Sequence, residues 1–124
     1  MKISDRALLS KIQSEIADVA CFIQGQNLDS FTEDSFEARK LQKAVIMSII
    51  NIAECIRELS EELKKAKSHI PWDEIRGLRH ISAHRYDSLR MPDIWEYICE
   101  DFPLLQEQIE EIIESEPADA RGNQ

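Results

Sequence analysis

A long amphipathic segment is the feature that most constrains what this 124-residue chain can fold into. From about residue 30 to residue 66, mostly apolar side chains recur at spacings of four and three, the repeat of an α-helix that packs along one seam. The members of this first seam are Leu41, Val45, Ser48, Ile52, Cys55 and Leu59. Only three glycines and four prolines interrupt the whole sequence, so we predict a bundle of long helices without strands.

A second seam lies on the neighbouring face of the same predicted helix. Its members are Ile46, Ile49, Ala53 and Ile56. One apolar stripe is enough for a helix in a small monomeric bundle, whereas two adjacent stripes indicate contacts on two sides. We therefore predict that this helix packs against its own bundle and also joins two copies in a symmetric homodimer.

Start signals divide the chain into four to five helices of a single up-and-down, all-α domain over residues 1–115. The predicted starts are Ser4 for the first helix, Ser30 or Asp34 for the second, Pro71 for the third and Met91 for the fourth, with a restart near Phe102. The first helix should end just before Gly25 and the second near Ala66. Residues 116–124 have the composition of a frayed tail.

The formal net charge of −9 is carried entirely by one end of the chain. Residues 1–90 contain 14 basic and 14 acidic residues, whereas residues 91–124 contain one basic and ten acidic residues. Within residues 76–90, four arginines stand against Asp87 alone, which is a local excess of three positive charges. A patch of this size can hold a few phosphates, but it cannot support broad duplex binding, which rests on many phosphate contacts.

The segment from residue 79 to residue 86 holds the densest chemistry in the chain, with two arginines, two histidines and a tyrosine. A guanidinium binds phosphate through a planar fork that stays charged, and an imidazole can take or give a proton near neutral pH. With the 2′-OH of RNA as an internal nucleophile, Arg79 as the electrostatic clamp and His84 as the proton carrier could cleave a phosphodiester. The candidate supporting or RNA-binding residues are His80, Arg76 and Arg85.

The spacing of Arg79 and His84 leaves their arrangement open. Five residues on an ideal helix place two side chains about 140° apart. Either the helix ends between them and the chain turns back, or the two residues act across a subunit interface. Purely structural roles are open as well: Arg79 could cap a helix or pair with an acid such as Asp87, His84 could be a satisfied turn histidine, and Tyr86 could be a core aromatic.

Metal chemistry is a weak alternative for the same segment. His80 and His84 have the i, i+4 spacing of two ligands on one helix face. No acidic residue lies between them, and the neighbouring arginines oppose a cation. We therefore predict that the protein holds no metal ion and needs no cofactor.

The cysteines and the apolar runs indicate the cellular compartment. Cys21, Cys55 and Cys99 are far apart in the sequence and stand among apolar neighbours, so we predict buried, reduced thiols. No apolar run approaches the ~20 residues that a membrane span needs. The first residues do not form a signal peptide, so we expect a cytoplasmic protein without membrane contact.

The residues around the motif form a longer pattern. It reads Ile70-Pro71-Trp72-Asp73-x-Ile75-x-Gly77-Leu78-Arg79-His80-x-x-x-His84-x-Tyr86, followed by Trp95 and by Phe102-Pro103-Leu104-Leu105. Upstream, the stretch from Leu41 to Glu54 and the run Leu59-Ser60-Glu61-Glu62-Leu63-Lys64 belong to the same pattern. Over nearly the whole chain it resembles the HepT family of HEPN-domain proteins, which are ribonuclease toxins encoded beside a minimal nucleotidyltransferase antitoxin.

This resemblance implies a HEPN-type helical bundle, a homodimer and a composite RNA-cleaving site where the motifs of two copies meet. It implies that Arg79 and His84 are the catalytic pair of a metal-independent endoribonuclease. It further implies a cognate nucleotidyltransferase partner that adenylylates Tyr86 and so neutralises the toxin. The family often has Asn at the position of His80, so a polar side chain is kept, and whether His80 shares the proton transfers is open.

Two other functions fit the same residues. In the first, the chain is a non-catalytic module that uses the Arg/His pocket to hold a nucleotidyltransferase or a nucleotide. In the second, weaker one, it is a purely structural, dimerising bundle. A binding module would need the arginines but not a histidine at the catalytic spacing, so the presence of both Arg79 and His84 favours the ribonuclease.

Overall fold

The computed structural model describes residues 1–116, and every regular element in that range is helical. The α-helices are α1 Ile3–Phe22, α2 Leu28–Phe31, α3 Phe36–Glu58, α4 Glu61–Ala66, α5 Arg76–Ala83, α6 Met91–Glu96 and α7 Phe102–Ser115. A 3-10 turn covers Tyr86–Ser88, and a π-helical turn covers Tyr97–Asp101. The all-α prediction is confirmed for residues 1–116, while most of the predicted frayed tail, residues 117–124, lies outside the described part of the chain.

The last long helix runs from α6 through the π-helical turn into α7 without leaving helical backbone angles. Pro103 explains the widened turn, because a proline has no N–H to donate to the carbonyl of Cys99 one turn earlier. The helix widens over Tyr97–Asp101 instead of stopping. The predicted restart near Phe102 is therefore a change of pitch within one continuous helix.

The interface between α1 and α3 is the centre of the bundle. From α1 it takes Leu9, Ile12, Ile16 and Val19, and from α3 it takes residues of both predicted seams. Ile49 is 0% exposed and Ile56 is 3% exposed, so the second seam packs inside its own chain. The prediction that this seam joins two copies is therefore wrong for Ile46, Ile49 and Ile56, since α3 lies between α1 on one side and α5 on another, and Ala53 alone is half-buried.

Helix α3 ends at Glu58, earlier than the predicted end near Ala66. The reason lies on α1, where the buried carboxylate of Asp5 accepts hydrogen bonds from the backbone N–H of Ser60 at 2.9 Å and from its hydroxyl at 2.6 Å. The Ser60 hydroxyl oxygen in turn accepts from the N–H of Leu63 and caps α4. These hydrogen bonds form a polar knot of Asp5, Ser60 and Leu63. The knot ends α3 although the apolar pattern of the sequence continues beyond it.

Three predicted helix starts are displaced in the structure. Ser30 lies inside α2, where it completes a capping box with Asn27, and α3 is capped instead by Ser35. Ser4 is the second residue of α1 and does not cap it. Pro71 lies in an irregular turn, because the indole N–H of Trp72 donates to the carbonyl of Lys67 at 3.2 Å and α5 begins only at Arg76.

Two further sequence expectations have clear outcomes. Cys55 is buried, but Cys21 and Cys99 are exposed, so the prediction of three buried thiols is wrong for two of them. Cys21 lies two residues after Val19, Cys99 lies directly after Ile98, and Val19 and Ile98 take the buried positions. Within residues 1–116, no helix combines the length and the apolar character needed to cross a bilayer.

Candidate active site

Helix α5 carries the first half of the motif and is held close to the long C-terminal helix. Leu78 and Gly77 are buried on its inner face. A Cβ at Gly77 would lie 3.2 Å from the Cβ of Tyr97 and 3.4 Å from the ring of Phe102. The missing side chain of Gly77 therefore lets the backbone of α5 approach the π-helical turn and sets the position of the residues that follow.

Helix α5 ends between Arg79 and His84, as in the first of the two arrangements that the sequence left open. Ala83 is the last residue of α5, and His84 has extended backbone angles with φ −128° and ψ 150°. Its N–H still donates to the carbonyl of His80 at 3.0 Å. The turn does not bring the two predicted catalytic side chains into one cavity, since Arg79 and His84 line separate cavities.

The Arg79 cavity lies between α3, α5 and the turn before α5, and its volume is about 190 Å³. Arg57 from α3, Asp73 and Ser82 contribute polar atoms, and Trp72 and Leu78 form part of its wall. Arg79 donates from Nη1 to Oε2 of Glu74 at 2.8 Å, and both side chains are mostly exposed. An exposed pair of this kind contributes only about 0–1 kcal/mol, so an incoming phosphate can replace Glu74.

The two histidines of the motif line a second cavity of about 170 Å³. Their ring centroids are 5.3 Å apart. His84 is exposed, whereas His80 is half-buried and its Nδ1 is hydrogen-bonded to the hydroxyl of Tyr97. Arg90 and Asp93 line the same cavity, so it contains one positive and one negative side chain beside the imidazoles.

Arg76 forms ion pairs with two carboxylates from the first part of the acidic segment of residues 91–124. Its Nε and Nη2 donate to the two carboxylate oxygens of Asp101 at 3.0 and 2.7 Å, and its Nη1 donates to Glu96 at 3.0 Å. The guanidinium lies over the ring of Tyr97, 5.1 Å from the centroid. A phosphate would have to compete with two carboxylates for Arg76, so this residue is better placed to hold Tyr97 than to bind RNA.

In the folded chain, carboxylates pair with all four arginines that produce the local excess of three positive charges. Arg76 pairs with Asp101 and Glu96 as described. The other pairs are Arg79 with Glu74 at 2.8 Å, Arg85 with Asp87 at 3.2 Å, and Arg90 with Asp93 at 4.0 Å. The expected basic patch is wrong because the helix that begins at residue 91 brings carboxylates to Arg76 and Arg90, while Glu74 and Asp87 pair with the other two arginines.

Tyr86 and Arg85 extend into solvent beyond the end of α5. Tyr86 is 41% exposed, which rules out the core-aromatic interpretation of this side chain. Arg85 is almost fully exposed, and Asp87 is its ion-pair partner. A phenol in this position is open to an external reagent, and a surface ion pair of this kind leaves Arg85 free to move.

Sequence reasoning missed two residues that the fold adds to these cavities. Tyr97 lies in the apolar stripe between Ile94 and Ile98, and nothing in the sequence marks it as the partner of His80. Arg57 looks like an ordinary surface residue of α3, yet it lines the cavity of Arg79. Within residues 1–116, no three His, Cys, Asp or Glu side chains converge in a way that could hold a metal ion.

An all-α bundle with an Arg-x4-His-x-Tyr motif at the end of one helix is the arrangement of a HEPN-type domain. A family model described as "Ribonuclease HepT-like" matches residues 4–112 of the chain. The chain therefore belongs to the ribonuclease HepT-like family. No solved structure matches it.

Several named proteins are similar to this chain. "Putative RNase TTE0752" from Caldanaerobacter subterraneus subsp. tengcongensis is 30% identical over 111 residues, which are 90% of this chain and 96% of that protein. "Putative RNase MJ0127" from Methanocaldococcus jannaschii is 32% identical over 87% of this chain and 86% of that protein. "Gamma-glutamylcyclotransferase and putative RNase MJ0434" from the same organism is 35% identical over 74% of this chain, and the match makes up 41% of that longer protein.

Proposed function

We propose that this protein is a metal-independent endoribonuclease of the HepT type that cleaves RNA with Arg79 and His84. The observation that carries the proposal is the exposed position of both side chains at the end of α5, in a chain whose relatives bear ribonuclease names. An RNA strand can reach both residues without any unfolding of the bundle. The exposed pair of Arg79 with Glu74 leaves the guanidinium available for a phosphate.

The chemistry needs two proton transfers, one from the attacking 2′-OH and one to the departing 5′-oxygen. A neutral His84 takes the proton of the 2′-OH, and the 2′-oxygen attacks phosphorus. The bond from phosphorus to the 5′-oxygen breaks, and that oxygen takes a proton from an imidazolium, that of His84 or of its counterpart in a second copy. The products are a 2′,3′-cyclic phosphate and a 5′-hydroxyl end. Arg79 stabilises the negative charge of the phosphorane between these steps.

A second copy of the chain would complete this site. Arg79 and His84 line separate cavities in one chain, which supports a composite site in which a homodimer brings the arginine of one copy to the histidine of the other. The half-exposed apolar strip of Met47, Ile50 and Ala53 on α3 offers the contact surface, because Ala53 also lines the Arg79 cavity. A dimer joined here places the partner directly beside Arg79.

The dimer is tested with two matched surface substitutions. Met47 is 56% exposed on α3 and Leu104 is 55% exposed on α7, so both can be changed without loss of buried contacts. We expect Met47→Glu to weaken self-association in light scattering and to lower RNA cleavage, and Leu104→Glu to change neither. A wild-type protein that is monomeric at micromolar concentration while cleaving RNA contradicts the composite site.

Cleavage is tested with purified protein and total RNA, with and without EDTA. We expect cleavage in both conditions and a loss of about 10²-fold or more in His84→Ala and in Arg79→Ala. Abolition of cleavage by EDTA, or full activity in His84→Ala, contradicts the proposal. Tight RNA binding without any cleavage would favour the alternative of a non-catalytic binding module.

The protein would act as the toxin of a toxin–antitoxin pair. Its cognate nucleotidyltransferase would attach AMP to the hydroxyl of Tyr86, forming a phosphodiester and releasing pyrophosphate from ATP. The exposure of Tyr86, two residues after His84, supports this modification. The added anion would occupy the arginine clamp, and the nucleoside would fill the groove that the RNA needs.

Neutralisation is tested by co-expression with the nucleotidyltransferase and intact-mass spectrometry. We expect a mass gain in units of AMP that is absent in Tyr86→Phe, and a Tyr86→Phe toxin that resists neutralisation. Tyr97→Phe is a matched control, because Tyr97 is a buried phenol that an enzyme cannot reach. Neutralisation of an unmodified wild-type protein contradicts this part of the proposal.

A further inference from the structure

The contact between His80 and Tyr97 has no part in the proposed cleavage, yet it joins the motif to the long C-terminal helix. The Tyr97 hydroxyl is hydrogen-bonded to Nδ1 of His80, and the two ring centroids are 5.5 Å apart. Tyr97 is buried, and its ring is covered by Arg76, which two carboxylates hold in place. The phenol is therefore fixed, and it fixes the ring of His80.

The direction of this hydrogen bond follows from the burial of Tyr97. Burial raises the pKa of the Tyr97 phenol above its ordinary value, and the nearby carboxylate of Asp93 raises it further, so the hydroxyl keeps its proton. A buried O–H needs an acceptor, and Nδ1 of His80 is the hydrogen-bonding atom that it contacts. When Nδ1 accepts, the proton of a neutral imidazole must be on Nε2.

We propose that Tyr97 holds His80 as the tautomer with its proton on Nε2, and that this N–H is a fixed hydrogen-bond donor to the phosphodiester in the cavity shared with His84. The inference rests on the proposed ribonuclease activity and specifies how one of its residues acts. His80 then contacts the substrate without exchanging a proton with it, and Tyr97 is a positioning residue. Donors held in place before charge develops on phosphate oxygens stabilise the transition state without reorganising.

The groups that surround His80 are an ion pair, an arginine and a second imidazole. Arg90 from the segment before α6 and Asp93 from α6 line its cavity, with a separation of 4.0 Å between their charged atoms. Arg76 lies on the other side of Tyr97. His84 is the remaining titratable side chain in the cavity, and its ring centroid is 5.3 Å from that of His80. With His80 held as a donor, His84 carries out the proton transfers.

The tautomer is tested directly by long-range ¹H–¹⁵N NMR on the full-length protein without RNA. The chain has only three histidines, so the signal that disappears in His80→Gln identifies His80. We expect an unprotonated Nδ1 and a protonated Nε2 in the wild type, and a shifted Nδ1 signal in Tyr97→Phe. A proton on Nδ1 of His80 overturns the inference whether or not the protein cleaves RNA.

The donor is tested by comparing two substitutions of His80. Glutamine places an amide N–H close to the position of Nε2 and cannot transfer a proton, whereas leucine has similar bulk and no donor. We expect His80→Leu to lose about 10²-fold in kcat, and His80→Gln to stay within about tenfold of the wild type with the same pH profile. Tyr97→Phe should lose about tenfold, because the ring of His80 is no longer held in one orientation.

Two results overturn the donor role and are distinguishable from each other. If His80→Gln loses as much activity as His80→Leu and one limb of the pH profile disappears, His80 is a proton carrier and the inference is wrong. If the wild-type protein leaves RNA intact, the proposed function itself fails, and the donor role fails with it. Circular dichroism of each variant confirms that it is folded before its activity is compared.

Discussion

The α1–α3 interface and the segment from Ser82 to Ser88 are opposite extremes of burial in this protein. Leu9, Ile12, Ile49 and Ile52 at the interface are completely buried, while every residue from 82 to 88 is exposed. The interface consists almost entirely of aliphatic side chains, and the segment contains His84, Arg85 and Tyr86 of the motif. The comparison shows that the apolar core of the bundle lies apart from the reactive groups. A few polar contacts at the edge of the bundle position these groups.

The largest expected effect is a substitution that places a charge in the buried region. Ile49→Glu puts a carboxylate where no partner is available, and we expect a loss of more than about 4 kcal/mol of unfolding free energy. Met47→Glu, two residues away on the exposed side of α3, should change stability by less than about 0.5 kcal/mol. Chemical denaturation with circular dichroism measures both, and equal losses would contradict the packing of α3.

The polar knot between α1 and α4 should give the next largest effect. Asp5→Ala removes the acceptor of two hydrogen bonds from Ser60 and leaves a backbone N–H without its partner. We expect a loss of about 1–3 kcal/mol of unfolding free energy. Asp18→Ala, at an exposed position of the same helix, is the control and should be nearly neutral. A similar loss in both variants would mean that Asp5 contributes only helix propensity.

A smaller effect should arise where helix α3 lines the cavity of Arg79. Arg57 belongs to α3 but lines the cavity of Arg79, so Arg57→Ala should lower RNA cleavage by about tenfold through loss of one charged phosphate contact. Arg39→Ala removes an arginine from the other end of α3, where it pairs with Asp34, and should leave cleavage unchanged. Equal RNA cleavage by the two variants would show that Arg57 makes no contact with the substrate.

The smallest effect concerns the exposed ion pair that Arg79 makes in the resting protein. Glu74→Gln removes the carboxylate that competes with phosphate, so RNA affinity should rise while the unfolding free energy changes by less than about 1 kcal/mol. Fluorescence anisotropy with a labelled RNA in low salt measures the affinity. Glu37→Gln, in the exposed pair with Lys40 on α3, is the control. Weaker RNA binding by Glu74→Gln would show that the pair positions Arg79 for the substrate.

Local patterns predicted the parts of the fold that depend on one helix at a time. The apolar repeat identified the central helix, and the first helix was predicted within about two residues at each end. The same reasoning failed where a contact from elsewhere in the chain decides a boundary. The end of α3 at Glu58 depends on Asp5, and the turn at Pro71 depends on the hydrogen bond from Trp72 to Lys67.

The candidate site divides in the same way. Residue types and spacing pointed to Arg79 and His84, and the family resemblance added Tyr86; the exposure of all three agrees with roles in chemistry more than in packing. The separation of Arg79 from His84 into two cavities could not be predicted, since it depends on where α5 ends and on what packs beside it.

The sequence by itself determined the helical class, the family and the set of reactive side chains, because periodicity and motif spacing are properties of neighbouring residues. Only the tertiary structure decided that most of both α3 seams is buried, that Arg76 meets Glu96 and Asp101, and that Tyr97 contacts His80. These polar contacts join residues 17 or more positions apart in the chain. Such contacts depend on how helices cross, and no local pattern records that geometry.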